Sequence, residues 1–206
     1  MEDLRTLKPN QLDALREVAN IGAGHAATAL SQMIGATIMI SVPRINVTRL
    51  EDVPPVVAAP EEPVAAVLLH MLGDLSGRTL LVFPRDVAIR LAELLLQRPA
   101  SSSTDLGELE QSAIKEAGNI LAAAYLNALA DFMKMTLLPS PPSLAVDMSD
   151  AVLNSTYHEI AQGSEFVFCV ESEFYLQDRG ERLRGFFLLL PDPSSLHAIL
   201  RAVRVA

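Results

Sequence analysis

The sequence predicts an α+β fold in which one half-domain occurs twice, its long helices packed on a largely antiparallel sheet. Three observations carry this. The pattern Asp13-x-x-x-Glu17-x-x-Asn20 recurs as Ser112-x-x-x-Glu116-x-x-Asn119, and a proline follows each copy, so that Glu17/Glu116, Asn20/Asn119 and Pro43/Pro142 all differ by 99 positions. Apolar and small residues match at the same offset: Ile21 with Ile120, Ala23 with Ala122, Ala29 with Ala128, Leu30 with Leu129 and Thr37 with Thr136. In each copy a long helical pattern precedes a series of strand-like runs, an order that argues for segregated helices and strands. A period near half of the 206 residues points to duplication rather than a solenoid. One domain over 1–206 is expected, made of halves 1–99 and 100–206, related by a pseudo-two-fold.

The first helix is expected from Pro9 to Met33. Proline suits a first turn, where its missing N–H has no partner to lose. Leu12, Leu15, Ala19, Gly22, Ala26, Leu30 and Met33 recur at helical spacing, and Gly35 suits the end. Ala36–Leu50 reads as a strand, with Pro43 inside it pointing to an edge or a bulge. After a loop containing Pro54, Pro55, Pro60 and Pro63, two strands are predicted at Val64–Leu72 and Arg78–Phe83. Gly73-Asp-Leu-Ser-Gly77 between them has hairpin chemistry. Asp86–Gln97 reads as a helix capped by Asp86.

Arg98–Thr104 is the clearest linker and falls at the duplication boundary. Asp105-Leu-Gly-Glu108 resembles a capping box opening a long helix to about Met135. Strand-like runs follow at Thr136–Met148, Ala151–Gln162, Glu165–Gln177 and Leu183–Leu190, and Pro191–Ser194 leads into a terminal helix, Ser195–Val203.

Composition narrows the function. Hydrophobic residues make up 50% of the chain but aromatics only 5%, so the core must be aliphatic. The net charge of -9, without Lys/Arg clusters, argues against a nucleic-acid binder. The excess is uneven, about -2 over residues 1–99 and -7 over 100–206. The acidic start has no secretory apolar region, and Val64–Leu72, broken by His70, is far short of the ~20 residues that span a bilayer. A cytoplasmic protein with no membrane partner is expected. Cys169 is the only cysteine, lies in a strand-like run and is expected to be a buried small hydrophobe.

Spacings of four and three put Asp13, Glu17 and Asn20 on one helix stripe, turned roughly 130–150° from the apolar one. Ser112, Glu116 and Asn119 repeat this. A carboxylate one turn from a carboxamide is not an acid–base dyad, because Asn does not titrate usefully. Asn can orient a water through its C=O and N–H groups, and Glu can pair with a partner's cation. No metal set is evident, since His25, His70, His158 and His197 are scattered, and no nucleophile constellation accompanies Cys169. Gly22-Ala-Gly24 is too weak a signal for a phosphate loop; both glycines are expected to admit another backbone. His25 is expected as a surface or half-buried residue rather than a ligand, and Glu61-Glu62 as a solvated pair.

The doubled Asp/Ser-x-x-x-Glu-x-x-Asn pattern with its downstream proline resembles the CheC/CheX/FliY phosphatase family, and Asn20–Ser31 resembles its CheC branch. Family members of CheX type carry one copy and dimerise, and those of FliY type add a C-terminal flagellar-switch module; two copies without that module fit the CheC branch. The resemblance implies hydrolysis of the phosphoryl-aspartate of the chemotaxis response regulator CheY. It implies that Asn20 and Asn119 position the attacking water, and that Glu17 and Glu116 pair with the regulator's lysine. Asp13 and Ser112 would support the helix or interface, and Pro43 and Pro142 the following strand. The chain would need no cofactor of its own, the regulator bringing Mg²⁺. The deamidase CheD would be a second partner. The rival readings are a non-catalytic adaptor for a regulator or CheD, and a FliY-like flagellar-switch component.

Overall fold

The computed structural model describes residues 8–49, 52, 59, 61–98, 106–160, 166–176 and 180–205. Its elements run α1 (Pro9–Ile34), β1 (Ile38–Ile40), β2 (Arg44–Arg49), β3 (Pro63–Gly73), β4 (Gly77–Pro84) and α2 (Arg85–Leu96). The second half continues with α3 (Glu108–Met133), β5 (Leu137–Pro139), β6 (Ser143–Met148), α4 (Ser149–Ile160), β7 (Phe166–Leu176), β8 (Glu181–Pro191) and α5 (Pro193–Val205). Every boundary from α1 to β2 reappears 99 positions later, from α3 to β6.

Among the described residues the strands form one antiparallel sheet of eight, ordered β1-β7-β8-β4-β3-β5, with β2 also on β7 and β6 also on β3. Equivalent strands β4 and β8 pair antiparallel at the centre, Leu80 opposite Leu188 and Leu81 opposite Phe187, so the pseudo-two-fold runs through this pair. The halves are interlocked: β1 and β2 of the first half pair with β7 of the second, and β5 and β6 of the second with β3 of the first.

Both faces of the central strands are covered. Ala65, Val67, Leu69, Leu81, Phe83, Phe187 and Leu189 face α1, α2, α3 and α5, while Val64, Ala66, Leu80, Val82, Phe186 and Leu188 join Val152 and Leu153 of α4 on the opposite face. A strand's side chains alternate between faces, so burial of both faces replaces an apolar–polar alternation with unbroken apolar runs such as Phe186–Leu190.

Four local expectations need correction. Ala151–Gln162 is not a strand; residues up to Ile160 belong to α4. Buried Ser149 starts it, donating its Oγ to the Ala59 carbonyl at 2.8 Å and its N–H to the Glu62 carbonyl at 3.0 Å. With Asp150 in the first turn and Val152 and Leu153 packed on the sheet, this anchoring overrides the β-leaning composition. Ala36–Leu50 and Thr136–Met148 are each two short strands, broken just before Pro43 and Pro142, which lack the N–H to continue a ladder. Asp86 does not cap α2, because the helix starts one residue earlier, after Pro84; Asp86 instead puts its charge at the positive end of the helix dipole. The capping residue proposed for α3, Asp105, lies outside the described residues, as does most of the Arg98–Thr104 linker; Gly107 precedes the helix.

Cys169 is buried and unpaired with another cysteine, as expected. Burial pushes its thiol from about 9 up to about 12. Burial also pushes the Tyr125 phenol from about 10 to about 12, although a hydrogen bond with Ser172 Oγ (2.8 Å) acts the other way. In both cases the unfolded chain loses its proton first. Above pH 9 the folded state therefore holds more protons, and stability falls as pH rises, by up to about 1.4 kcal/mol per pH unit for each group. Urea titrations are expected to show this loss setting in between about pH 9 and 10, and Cys169→Ala to delay its onset; an identical profile in that variant contradicts the account.

Candidate active site

The sheet leaves one side of α1 and of α3 to solvent, and the predicted residues lie there. Glu17 is exposed and Asn20 half-buried; Glu116 and Asn119 show the same two levels of burial. Successive residues turn by about 100°, so Asn20 lies roughly 60° round the helix from Glu17 and one turn along. Among the described residues, none of these four side chains makes a hydrogen bond or ion pair within the chain. Nor does any such bond join the Glu17/Asn20 pair to the Glu116/Asn119 pair.

The flanking residues differ between copies. Asp13 is held by Arg16 at 2.8 Å, an exposed i,i+3 pair worth a few tenths of a kcal/mol. Ser112 is exposed, and Lys115 occupies the position matching Arg16. Ile21 is 43% exposed beside Asn20, whereas its counterpart Ile120 is half-buried. His25 is exposed, and its counterpart Ala124 is buried.

Glycines set the depth of the two helices. At Gly22 an added Cβ would lie 2.7 Å from Tyr125 Cδ1 and 3.0 Å from Tyr125 Cα, so α1 and α3 cross there almost backbone to backbone. At Gly118, one residue before Asn119, it would lie 2.7–2.8 Å from three side-chain carbons of Val67, which seats α3 on β3. Tyr125 in turn stacks on Phe187 of β8, with ring centroids 4.5 Å apart. Gly24 corrects the expectation for the Gly22/Gly24 pair. It lies within α1 at an exposed position, and a Cβ there would meet nothing within 4 Å. A glycine inside an exposed helix costs about 1 kcal/mol relative to alanine.

Pro43, buried, and Pro142, half-buried, precede β2 and β6. The strand break beside each is closed in the same way. Ser41 donates its N–H to the Glu173 carbonyl (2.9 Å) and its Oγ accepts the Glu173 N–H (3.3 Å); Ser140 does the same with His70 (2.9 and 2.9 Å). Sequence reasoning passed over these serines, although they too stand 99 apart.

The arrangement limits the chemistry. Two free carboxylate–carboxamide pairs stand on outward helix faces rather than in a cavity. The cleft of about 520 Å³ lined by Gly35, Arg90, Glu93, Gln97 and Arg98 includes none of them, and Arg90 and Arg98 there are engaged by Glu93, Glu181 and Glu110. Among the described residues no group of three or more His, Cys, Asp or Glu could hold a metal ion. None of the described helices is long and apolar enough to cross a membrane. What such a face offers is a carboxamide that can orient a water and a carboxylate that can pair with a partner's cation.

Comparison with known proteins adds to this. The model of the CheC-like family matches residues 11–47 and 109–146, which contain both Glu/Asn pairs and both prolines. The CheY-P phosphatase CheC of Bacillus subtilis is 35% identical over 199 residues, spanning 96% of this chain and 95% of its own length. The flagellar motor switch phosphatase FliY of the same organism is 28% identical over 140 residues, covering 66% of this chain and 35% of its own. Among solved structures, Thermotoga maritima FliY superposes with a TM-score of 0.80 at 22% identity, covering 97% of this chain and 98% of that one. The FliM middle domain of Vibrio alginolyticus gives a TM-score of 0.62 at 14% identity, covering 92% and 99%. These structural likenesses describe the fold.

Proposed function

The chain belongs to the CheC-like family, and we propose that it is a phosphatase that hydrolyses the phosphoryl-aspartate of a CheY-type response regulator, with one site on α1 and one on α3. The observation that carries this reading is the repeated, unpartnered Glu/Asn pair on two exposed helix faces, within a chain 35% identical along its length to a CheY-P phosphatase.

The bond to break lies on the partner. Water adds to phosphorus opposite the aspartyl oxygen, the P–O bond to the aspartate breaks, and inorganic phosphate and a free carboxylate result. Phosphoryl transfer needs positioning and charge stabilisation more than acid–base chemistry. The Asn20 carboxamide, or Asn119 in the second copy, holds that water in line. Fixing one reactant in this way offsets a large part of the entropic barrier. Glu17 or Glu116 pairs with a lysine of the regulator and sets the docking register, a charge-assisted contact for which the carboxylate is free. The regulator would bring the Mg²⁺ that balances the phosphoryl charge, since this chain offers no metal-holding cluster among its described residues. Such a regulator is cytoplasmic, and this chain acts there. CheD joins as a second partner on the strength of the family resemblance.

The test is decay of a phosphorylated CheY-type regulator. The wild type is expected to accelerate it. Glu17→Ala/Asn20→Ala and Glu116→Ala/Asn119→Ala are each expected to retain the share of the other site, since no hydrogen bond or ion pair among the described residues joins the two pairs. A wild type that binds the regulator yet leaves the decay unchanged overturns the phosphatase reading. Complete loss through one pair alone overturns the two-site reading.

A further inference from the structure

Among the described residues, nothing requires Gly24 to be glycine. It is helical, without a positive φ, and no atom of the described residues outside its own turn lies within 4 Å of a built Cβ. Gly22, two residues earlier, is the contrast, since Tyr125 fills the space its side chain would take. A helix interior requires glycine where the backbone angle is special or where a neighbour comes too close for a Cβ. At Gly24 the first is absent and the described residues supply no neighbour.

Its place on the helix supplies the context. At about 100° per residue, Gly24 lies roughly 20° from the direction of Glu17 and 40° from that of Asn20, between the two and one turn beyond Asn20. The bare position thus lies in the middle of the polar stripe. Thr28, one turn further, donates its hydroxyl to the Gly24 carbonyl at 2.9 Å. On α3 the matching residue is Ala123, half-buried, so the clearance exists at the first site alone.

Building on the phosphatase reading, we propose that Gly24 is a positioning residue: the regulator's main chain descends onto α1 at this point, and the missing side chain lets Asn20 reach the acyl phosphate. The partner surface is a backbone segment beside the phosphorylated aspartate, since a side chain alone would not demand glycine. The first site therefore accepts a closer approach than the second.

The experiment uses the full-length chain with Glu116→Ala/Asn119→Ala, so that only the first site reports. Adding Gly24→Ala is expected to raise the melting temperature while lowering kcat/KM for the phosphorylated regulator about tenfold, mainly through KM. Adding Gly24→Leu is expected to abolish turnover while the chain stays folded. A glycine kept for local flexibility would show the thermal gain without the rise in KM. Gly24→Ala at its parent's kcat/KM overturns the proposal, as does a first-site-only parent without turnover. A wild type without turnover instead overturns the phosphatase reading on which it rests.

Discussion

Changing Asn20 and Asn119 together to alanine is expected to slow catalysed decay of the regulator's acyl phosphate by about 100-fold, the scale on which misplacing a reactant costs rate. Binding should survive, because Glu17 and Glu116 remain to pair with the partner. The loss should therefore appear in kcat with KM little changed, marking an interaction made in the transition state. Stability should barely move, since neither Asn side chain has a hydrogen-bond partner among the described residues. Changing the two glutamates instead should raise KM. If the asparagine variant lost affinity and kept kcat, the roles given to the two residue types would be reversed.

The second large effect concerns the scaffold. Gly22→Val is expected to destabilise the chain by about 3 kcal/mol, because its Cβ alone would sit 3.0 Å from the Tyr125 Cα, a backbone atom that cannot turn aside. Gly118→Val should act similarly by driving α3 off Val67. Urea unfolding measures both. The result couples to function, since these contacts fix the depth at which Asn20 and Asn119 are presented. A Gly22→Val chain as stable as wild type would mean that the helices do not cross as described.

These two glycines also mark how far the sequence was legible. The duplication could be read because it is written in the chain itself: a 99-residue offset in Glu17/Glu116, Asn20/Asn119 and Pro43/Pro142 survives as a 99-residue offset in helix and strand boundaries. Exposure of the motif followed from its angle to the apolar stripe. Strand partnership did not follow, because alternation tells which residues face the core but not which strand lies alongside; the exchange of β1 and β2 onto β7 is a tertiary fact. Residues 151–160 misled because their β-branched and aromatic content reads as strand, while two hydrogen bonds from Ser149 start a helix. Gly22 and Gly24 look alike in sequence and are opposites in space, one filled by Tyr125 and one open.

The central claim is that this chain completes another protein's active site with two outward Glu/Asn pairs. It is tested most directly by the decay rate of a phosphorylated CheY-type regulator, titrated with wild type and, in parallel, with the Asn20→Ala/Asn119→Ala chain. The account predicts saturable acceleration by the wild type, and a variant that competes for the regulator while leaving its decay near the spontaneous rate. Equal acceleration by both chains would contradict it.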